Sequence, residues 1–321
     1  MRTRSLVLKA TAGLFLATAI TFALPGPVGA EPAMAAAHPA QIGVFRYRLG
    51  DFEVTALSDG TVPLDLHELL KGVSPADIDK ALAGSFRRNP AETSINAFLV
   101  DTGSRRVLID TGAGGRLLDS LKAAGYEPSQ IDDILLTHAH GDHAGGLVHD
   151  GALVFPKATV HIAKADVDFF LDPAHQNGVP GYDKSYFVSA TASLGPVKAA
   201  GKLDTFTGAD QILPGIVSVP APGHTPGHSF YRVESKGQSM LFIGDLVHAE
   251  AVQLPNPKVT IAFDVDQSKA QAKRVADFKQ FATSGQAVAA AHLPFPGIGH
   301  IRRQGAGYDF VPVDFVNRDG Q

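Results

Sequence analysis

The stretch Thr137-His138-Ala139-His140-Gly141-Asp142-His143 places three histidines and one aspartate within six residues, and Ala144-Gly145-Gly146 follows it directly. Imidazole and carboxylate groups are the side chains that bind zinc and related divalent metals. Such a density of them is not typical of a hydrophobic core or of an ordinary solvated surface. The stretch therefore predicts a metal site.

The six residues 138–143 can serve two metals. His138 and His140 lie two apart on an irregular loop and can turn to one ion, whereas Asp142 and His143 point the opposite way. The glycines around them permit a tight backbone. His224 could complete the first site, His292 the second, and Asp245, at a strand end, could bridge the two. The predicted metal ligands are His138, His140, Asp142, His143, His224, Asp245 and His292.

Two bridged ions predict a hydrolase. Two metal ions about 3.5–4 Å apart lower the pKa of a water bound between them to near 7, so a metal-bridging hydroxide can be the nucleophile. The catalytic candidates are Asp245, which would bridge, and Asp142, which would hold a metal and pass a proton to the leaving group. A non-enzymatic metal-binding module is the alternative from another class. Since four ligands close a purely structural zinc site, seven candidates favour an enzyme.

Composition excludes several other classes. The chain has 321 residues, 45% of them hydrophobic, which is enough for one large domain or two small ones. Beyond residue 30 it carries 25 lysines and arginines against 32 acidic residues, and this balance does not favour nucleic acid as a partner. There is no cysteine, so disulfides and cysteine-ligated zinc are excluded.

The N-terminus predicts export. Arg2, Arg4 and Lys9 form a basic segment, an apolar run follows over Ala10–Leu24, and Val28-Gly29-Ala30 is a suitable cleavage site. We expect a signal peptide over residues 1–30, a flexible tail rich in alanine and proline over 31–41, and a hydrolase domain over 42–321. The mature protein would be secreted or periplasmic, without a stable membrane anchor. A retained anchor is the alternative, although the apolar run is short for a membrane span.

Local patterns predict a two-sheet protein. Strands are expected at Phe52–Leu57, Ile131–Leu136 and Ala287–Ala291, a strong helix at Gln267–Ala282, and a helix over Tyr186–Ala200 that breaks at Gly195-Pro196. The ligand candidates fall at strand ends or in the loops that follow. This order predicts two sheets packed face to face with helices outside.

The motifs together resemble the metallo-beta-lactamase superfamily over residues 42–315. The resemblance rests on the 137–143 stretch, Leu108-Ile109-Asp110-Thr111-Gly112, Gly223-His224-Thr225-Pro226-Gly227-His228, Gly244-Asp245 and His292. It implies an α+β fold, a four-layer αβ/βα sandwich with two metal ions between the sheet edges. It also implies that His138, His140 and His224 hold one ion, that Asp142, His143 and His292 hold the other, and that Asp245 is shared. Zn²⁺ is the first expectation, and Mn²⁺, Co²⁺ and Fe²⁺ accept the same ligands.

The flanking segments resemble the methyl parathion hydrolase-like branch, which includes organophosphate hydrolases, lactonases and arylesterases. These segments are 50–61, 121–126 and 292–301. Two departures stand out: the segment Gly112–Leu121 is shorter than in parathion hydrolases, and His248 replaces an apolar residue. We therefore expect a small-molecule ester or lactone substrate ahead of an organophosphate triester. A phosphotriesterase and a metallo-beta-lactamase are the alternatives, but the closest lactamases in ligand pattern lack a bridging aspartate.

Further residues are candidates for supporting roles. The resemblance implies that Asp110 orients the metal loop and that His228 is a structural neighbour of the ligands. An acyl group needs an apolar wall, although aromatic residues at helical spacing are more often core. The pocket candidates are Phe170, Phe187, His248 and Phe263. The oligomeric state stays open, with a homodimer among the possibilities.

Overall fold

The structure is a computed structural model and describes residues 41–317. The predicted signal peptide, 1–30, and all but residue 41 of the predicted tail lie outside the described residues. Among the residues that are described, no helix is long and apolar enough to cross a membrane.

The strands of the described chain form two large sheets and two small ribbons. In chain order they are β1 (Val44–Leu49), β2 (Phe52–Leu64), β3 (Leu70–Lys71), β4 (Ala91–Asp101), β5 (Arg106–Ile109), β6 (Asp133–Leu135), β7 (Val148–His149), β8 (Ala152–Leu153), β9 (Thr159–Ala163), β10 (Leu203–Phe206), β11 (Gln211–Leu213), β12 (Ile216–Pro220), β13 (Ser229–Ser235), β14 (Gln238–Phe242), β15 (Thr260–Ile261), β16 (Ala287–Ala289), β17 (Ile298–Gln304) and β18 (Gly307–Pro312).

Each large sheet comes from one half of the chain. The first has the order β1-β2-β4-β5-β6-β9-β10 and the second β11-β12-β13-β14-β16-β17-β18. In the first sheet β5, β6, β9 and β10 are parallel, whereas the strands before them pair antiparallel. In the second sheet β14 and β16 are parallel and the other pairs are antiparallel.

The helices lie between these strands in the chain. They are α1 (Leu66–Leu69), α2 (Pro75–Gly84), α3 (Leu117–Ala123), α4 (Gly141–Ala144), α5 (Lys164–Phe170), α6 (Lys184–Ala199), α7 (Glu250–Gln253) and α8 (Gln267–Ser284). Local chemistry sets the ends of α8: the Asp266 side chain accepts a hydrogen bond from the Lys269 amide, and Gly285 ends the helix in the left-handed region, at φ +68°.

The predicted break at Gly195-Pro196 is wrong. Helix α6 continues through Pro196 to Ala199. An internal proline costs a helix about 3 kcal/mol, because one hydrogen bond is lost and the ring crowds the preceding turn. Leu194 and Val197, on either side of Pro196, are buried in the core, and this packing holds the helix together.

Three hydrophobic clusters define four layers. One cluster lies between the two sheets, where Phe98 of β4 meets Phe242 of β14 edge to face at 5.3 Å between ring centroids. A second joins the outer face of the first sheet to α3 and α6, through residues such as Leu121 and Phe187. A third joins the second sheet to α8 through Phe278. The predicted four-layer αβ/βα sandwich is therefore confirmed.

Candidate metal centre

All seven predicted ligands follow the carboxyl ends of strands. Residues 138–143 come after β6, His224 after β12, Asp245 after β14 and His292 after β16. Strands β12, β14 and β16 run in the same direction, since β13 is antiparallel to both β12 and β14, and β14 is parallel to β16. Their carboxyl ends therefore meet at one edge of the second sheet, where the loop after β6 joins them.

The first cluster consists of three imidazole nitrogens and one carboxylate oxygen. Nδ1 of His140 lies 2.9 Å from Nε2 of His138 and 3.0 Å from Nε2 of His224. Oδ2 of Asp245 is 3.1 Å from Nε2 of His224 and 3.6 Å from Nε2 of His138. All four side chains are buried, and this group could hold one metal ion.

The second cluster consists of two imidazole nitrogens and two carboxylates. Oδ1 of Asp245 lies 3.0 Å from Nε2 of His143 and 3.2 Å from Nε2 of His292. Oδ2 of Asp142 lies 3.3 Å from Nε2 of His292 and 3.7 Å from Nε2 of His143. Asp245 therefore places one oxygen in each cluster, and the second group could also hold an ion.

The unpaired atoms of the second cluster fit a divalent ion. Nε2 of His143, Nε2 of His292 and Oδ1 of Asp245 are buried and have no hydrogen-bond partner among the described residues. A buried polar group without a partner costs about 1–3 kcal/mol. Zinc accepts imidazole nitrogen and carboxylate oxygen at about 2.0–2.2 Å. An ion at the centre of the cluster would satisfy all three atoms at once.

Asp110 fixes the orientation of His143. Its Oδ2 is 2.8 Å from Nδ1 of His143, and its two oxygens accept hydrogen bonds from the amide and the hydroxyl of Thr137 at 2.8 and 2.9 Å. Burial disfavours a charged His143, but Asp245 and Asp110 outweigh it and raise the pKa of His143 well above its usual value. Asp110 thus lies where its predicted role requires it.

His228 holds the turn that carries Asp245. Its Nδ1 donates to the carbonyl of Ala221 at 3.2 Å, and its Nε2 accepts the amide hydrogen of Asp245 at 3.1 Å. Burial lowers the pKa of His228 to about 3, which keeps the ring neutral and able to accept. Gly244 is required beside it, because φ is +46° and a Cβ would come within 2.7 Å of the His228 ring.

Asp264 supports His224 and was not found from the sequence. Its Oδ1 accepts from Nδ1 of His224 at 2.9 Å, and its Oδ2 lies 3.7 Å from the guanidinium of Arg274. Arg274 is itself buried and donates to the carbonyls of Leu246 and Val259, both at 2.6 Å. No sequence motif links Asp264 to His224, 40 positions away.

Asp166 ties the two halves together and was also missed. It is fully buried and accepts hydrogen bonds from the amide of Ala139 at 3.0 Å, the hydroxyl of Thr225 at 2.9 Å and the amide of Gly227. One carboxylate therefore joins the loop after β6 to the loop after β12. Burial outweighs these hydrogen bonds and raises the pKa of Asp166 to about 6.

Asp59 anchors the short segment after Gly112. Its carboxylate accepts hydrogen bonds from the amides of Ala113, Gly115 and Leu117 at 2.8, 3.2 and 2.7 Å. At Gly112, where φ is +65°, a Cβ would lie 2.4 Å from this carboxylate. This segment is thus held tightly against β2.

The aromatic pocket prediction is wrong for two of its members. Phe170 and Phe187 are completely buried and belong to the core between the first sheet and its helices. Phe170 packs on the edge of the His140 ring at 5.7 Å, so it supports a ligand from behind. The side chains of Phe170 and Phe187 fill the core and do not line a cavity. Phe263 is partly exposed and lies 5.7 Å from the His248 ring.

His248 lies between the clusters and an open cavity. Its Nε2 donates to Oδ2 of Asp245 at 2.9 Å, and its ring stacks on His292 at 5.0 Å. A cavity of about 270 Å³ is bordered by both histidines. Leu66 and Leu82 add apolar wall to it, and Arg87 and Glu250 line it as an ion pair at 3.1 Å.

Comparisons with known proteins place this geometry in context. The sequence model described as the metallo-beta-lactamase superfamily matches residues 91–308. The chain is similar to the hydrolase AbOPH of the beta lactamase superfamily, with 36% identity, a TM-score of 0.82, and coverage of 87% of this chain and 100% of that one. It is also similar to AidC, a dizinc quorum-quenching lactonase solved with the product N-hexanoyl-L-homoserine, with 28% identity, a TM-score of 0.78, and coverage of 86% and 99%.

A curated relative shares a smaller part. A ribonuclease of Thermus thermophilus is 27% identical over 175 residues, which are 52% of this chain and 38% of the relative. The chain thus spans about two fifths of the length of that relative. The family match and the likeness to AbOPH agree with the observed fold. The chain belongs to the metallo-beta-lactamase superfamily.

Proposed function

We propose that the protein is a dinuclear metal-dependent hydrolase that cleaves carboxylic esters or lactones. The observation that carries the proposal is the position of Asp245, whose two oxygens are divided between two clusters of buried ligands. A structural zinc site has no need of a second cluster that shares a carboxylate with the first. The likeness to a dizinc lactonase supports the same reading.

Two bound divalent ions would make a water between them acidic and would polarise the substrate carbonyl. The chain's own residues supply the remaining steps. Asp245 sets the spacing of the two clusters, and His228 and His248 fix its orientation from either side. The Asp142 side chain is 37% exposed at the second cluster, and we assign it the transfer of a proton to the leaving group. Burial raises the pKa of Asp142, but His143 and His292 outweigh it and hold that pKa below its usual value, so the carboxylate is ionised at rest and carries the proton only transiently.

The cavity supports an ester or lactone. Its apolar wall, Leu66 and Leu82, suits an acyl chain, and it ends at His292 of the second cluster. His248 introduces a polar ring at the border of this cavity. Such a group fits a substrate with a carbonyl better than the three bulky substituents of a phosphotriester.

A phosphotriesterase is the second candidate. The segments 50–61, 121–126 and 292–301 resemble the methyl parathion hydrolase-like branch, and we assign the chain to that branch on this basis.

Zn²⁺ is the proposed metal, because the ligand set is rich in imidazole. The signal-like residues 1–30 support a secreted or periplasmic protein with a domain over 42–321.

A hydrolysis panel tests the proposal. Protein loaded with a defined metal is assayed on an aryl ester, an acyl-homoserine lactone, dihydrocoumarin, methyl parathion and nitrocefin. We expect the ester and the lactones to be cleaved faster than the other two. The variants His140→Ala and Asp245→Ala should lose turnover by orders of magnitude. Their metal content should also fall. Full activity in a metal-free variant would contradict the proposal.

A further inference from the structure

Tyr182 contacts a predicted metal ligand from a segment that contributes no ligand of its own. Its hydroxyl forms a hydrogen bond with Nε2 of His140 and lies 3.4 Å from the carbonyl of Phe263. The side chain is 6% exposed, and its ring is nearly parallel to that of His140, at 26°. The hydroxyl is therefore engaged on the far side of the ligand ring.

The direction of these hydrogen bonds follows from the ring atom that faces the cluster. Nδ1 of His140 converges with the nitrogens of His138 and His224, so it must offer its lone pair to a metal. A neutral imidazole then carries its hydrogen on Nε2. That hydrogen goes to the oxygen of Tyr182, and the Tyr182 hydroxyl donates in turn to the Phe263 carbonyl. In this direction His140, Tyr182 and the Phe263 carbonyl each have a hydrogen-bond partner.

The partner of His140 differs from the carboxylates that orient two of the other ligand candidates. Nδ1 of His143 faces Asp110 and Nδ1 of His224 faces Asp264, both carboxylates. Tyr182 is a neutral partner instead, because a tyrosine hydroxyl keeps its proton at neutral pH. His140 is thus oriented without added negative charge.

The segment around Tyr182 is held by a short turn. The amide of Val179 donates to the carbonyl of Tyr182 at 3.0 Å, and the amide of Tyr182 donates back to Val179 at 2.8 Å. Gly181 takes a φ of +79° within this turn. The ring of Tyr186, from α6, stacks on Tyr182 at 4.2 Å. The hydroxyl is therefore delivered by a defined piece of backbone.

We propose that Tyr182 is a positioning residue for the first cluster, and that its hydroxyl fixes the tautomer and orientation of His140. The affinity of this cluster for its ion then depends on the segment Val179–Tyr182. The inference rests on the metal-binding part of the proposed function.

Metal affinity in Tyr182→Phe tests the inference. This change keeps the ring and removes one hydroxyl. Zinc is titrated against a chelator and counted per chain, and the absorption spectrum of Co²⁺-loaded protein is recorded. Loss of a partner of a ligating histidine typically costs about 10–100-fold in metal affinity. We expect that loss for one ion of the two, with a changed Co²⁺ spectrum and an unchanged second ion.

Tyr186→Phe is the matched control. The Tyr186 hydroxyl has no hydrogen-bond partner within residues 41–317, and its ring belongs to the same stack. This variant should bind both ions as the wild type does. The inference is overturned if Tyr182→Phe keeps both affinities, or if both variants lose affinity equally. Wild-type protein that binds two ions but cleaves no substrate contradicts the proposed function and leaves this inference standing.

Discussion

His224 donates its Nδ1 hydrogen to Oδ1 of Asp264 across 2.9 Å, although the two residues are 40 positions apart. The carboxylate therefore sets which nitrogen of His224 faces the first cluster. The same carboxylate lies near the buried guanidinium of Arg274, which donates to the backbone carbonyls of Leu246 and Val259. The turn after β15 is thus part of the metal centre without supplying a ligand.

Asp264→Asn should weaken metal binding. The amide is isosteric but uncharged, so it holds the His224 hydrogen less strongly and leaves Arg274 without its counter-charge. We expect metal affinity and kcat/KM to fall by about 10–100-fold. The control is Asp266→Asn, since asparagine replaces aspartate well at the start of a helix. Equal metal affinity in the two variants, measured by chelator competition, would show that Asp264 does not support the site.

Asp166→Asn should destabilise the metal-free protein. The three groups around this carboxylate, on Ala139, Thr225 and Gly227, are all donors, and the new amide would face at least one of them with its own N–H. We expect the free energy of unfolding, measured in urea at pH 8, to fall by about 1–3 kcal/mol. Asp168→Asn is the control. Asp168 is 60% exposed and pairs with Lys164, so its loss should cost within about 0.5 kcal/mol. Indistinguishable urea midpoints for the two variants would contradict the assignment.

The stability of the metal-free protein should fall as pH rises from 6.5 to 10. Burial opposes charge on His224, but Asp245 and Asp264 outweigh it and raise its pKa to about 9. Asp245 and Asp142 likewise raise the pKa of His292 to about 10 against burial. Because both folded pKa values exceed the unfolded value near 6.5, their contribution is complete below pH 6.5 and is lost as pH passes 9 and 10.

Thermal unfolding of chelator-treated protein measures this effect. The Tm should decline over that pH range, and more steeply than in metal-loaded protein, where an ion replaces the protons at the same nitrogens. The change of Tm with pH in the metal-loaded protein measures the contribution of all other titrating groups to stability. A metal-free Tm that stays level relative to the loaded protein would contradict the prediction.

His248→Leu should shift the substrate preference. The leucine removes the hydrogen bond to Asp245 and the polar ring at the cavity, but it leaves the seven ligand candidates in place. A hydrogen bond to a charged group contributes about 1.5–3 kcal/mol, so kcat/KM for an ester or lactone should fall about 10-fold or more. We expect a smaller loss for methyl parathion and an unchanged metal content. Equal losses on both substrates would show that His248 does not select between them.

The fold and the ligand candidates were predictable because both are encoded locally. Residues 138–143 are contiguous, and Asp245 and His292 directly follow apolar strands, so the motif and the strand pattern pointed to one edge of a sheet. The helix α6 was misjudged at Pro196 because core packing of its neighbours is a tertiary effect.

The supporting residues could not be predicted in the same way. Asp166 and Asp264 are single aspartates in segments without a motif, and their partners become neighbours only when the two sheets pack together. Phe170 and Phe187 were instead assigned a role that they do not have. Aromatic residues show the same helical spacing in a core as in a cavity wall, so the sequence does not separate the two. The supporting residues were missed mainly because their partners are far away in the sequence, and less because of their residue type.

Each cluster draws two side chains from the first half of the chain and two from the second, with Asp245 counted in both. An ion in either cluster would then be a cross-link between the two sheets, in a protein that has no cysteine to make a covalent one. Such a link forms only after the halves have docked, and it stabilises the folded chain by mass action. Metal supply would therefore set how long the protein survives as well as how fast it works.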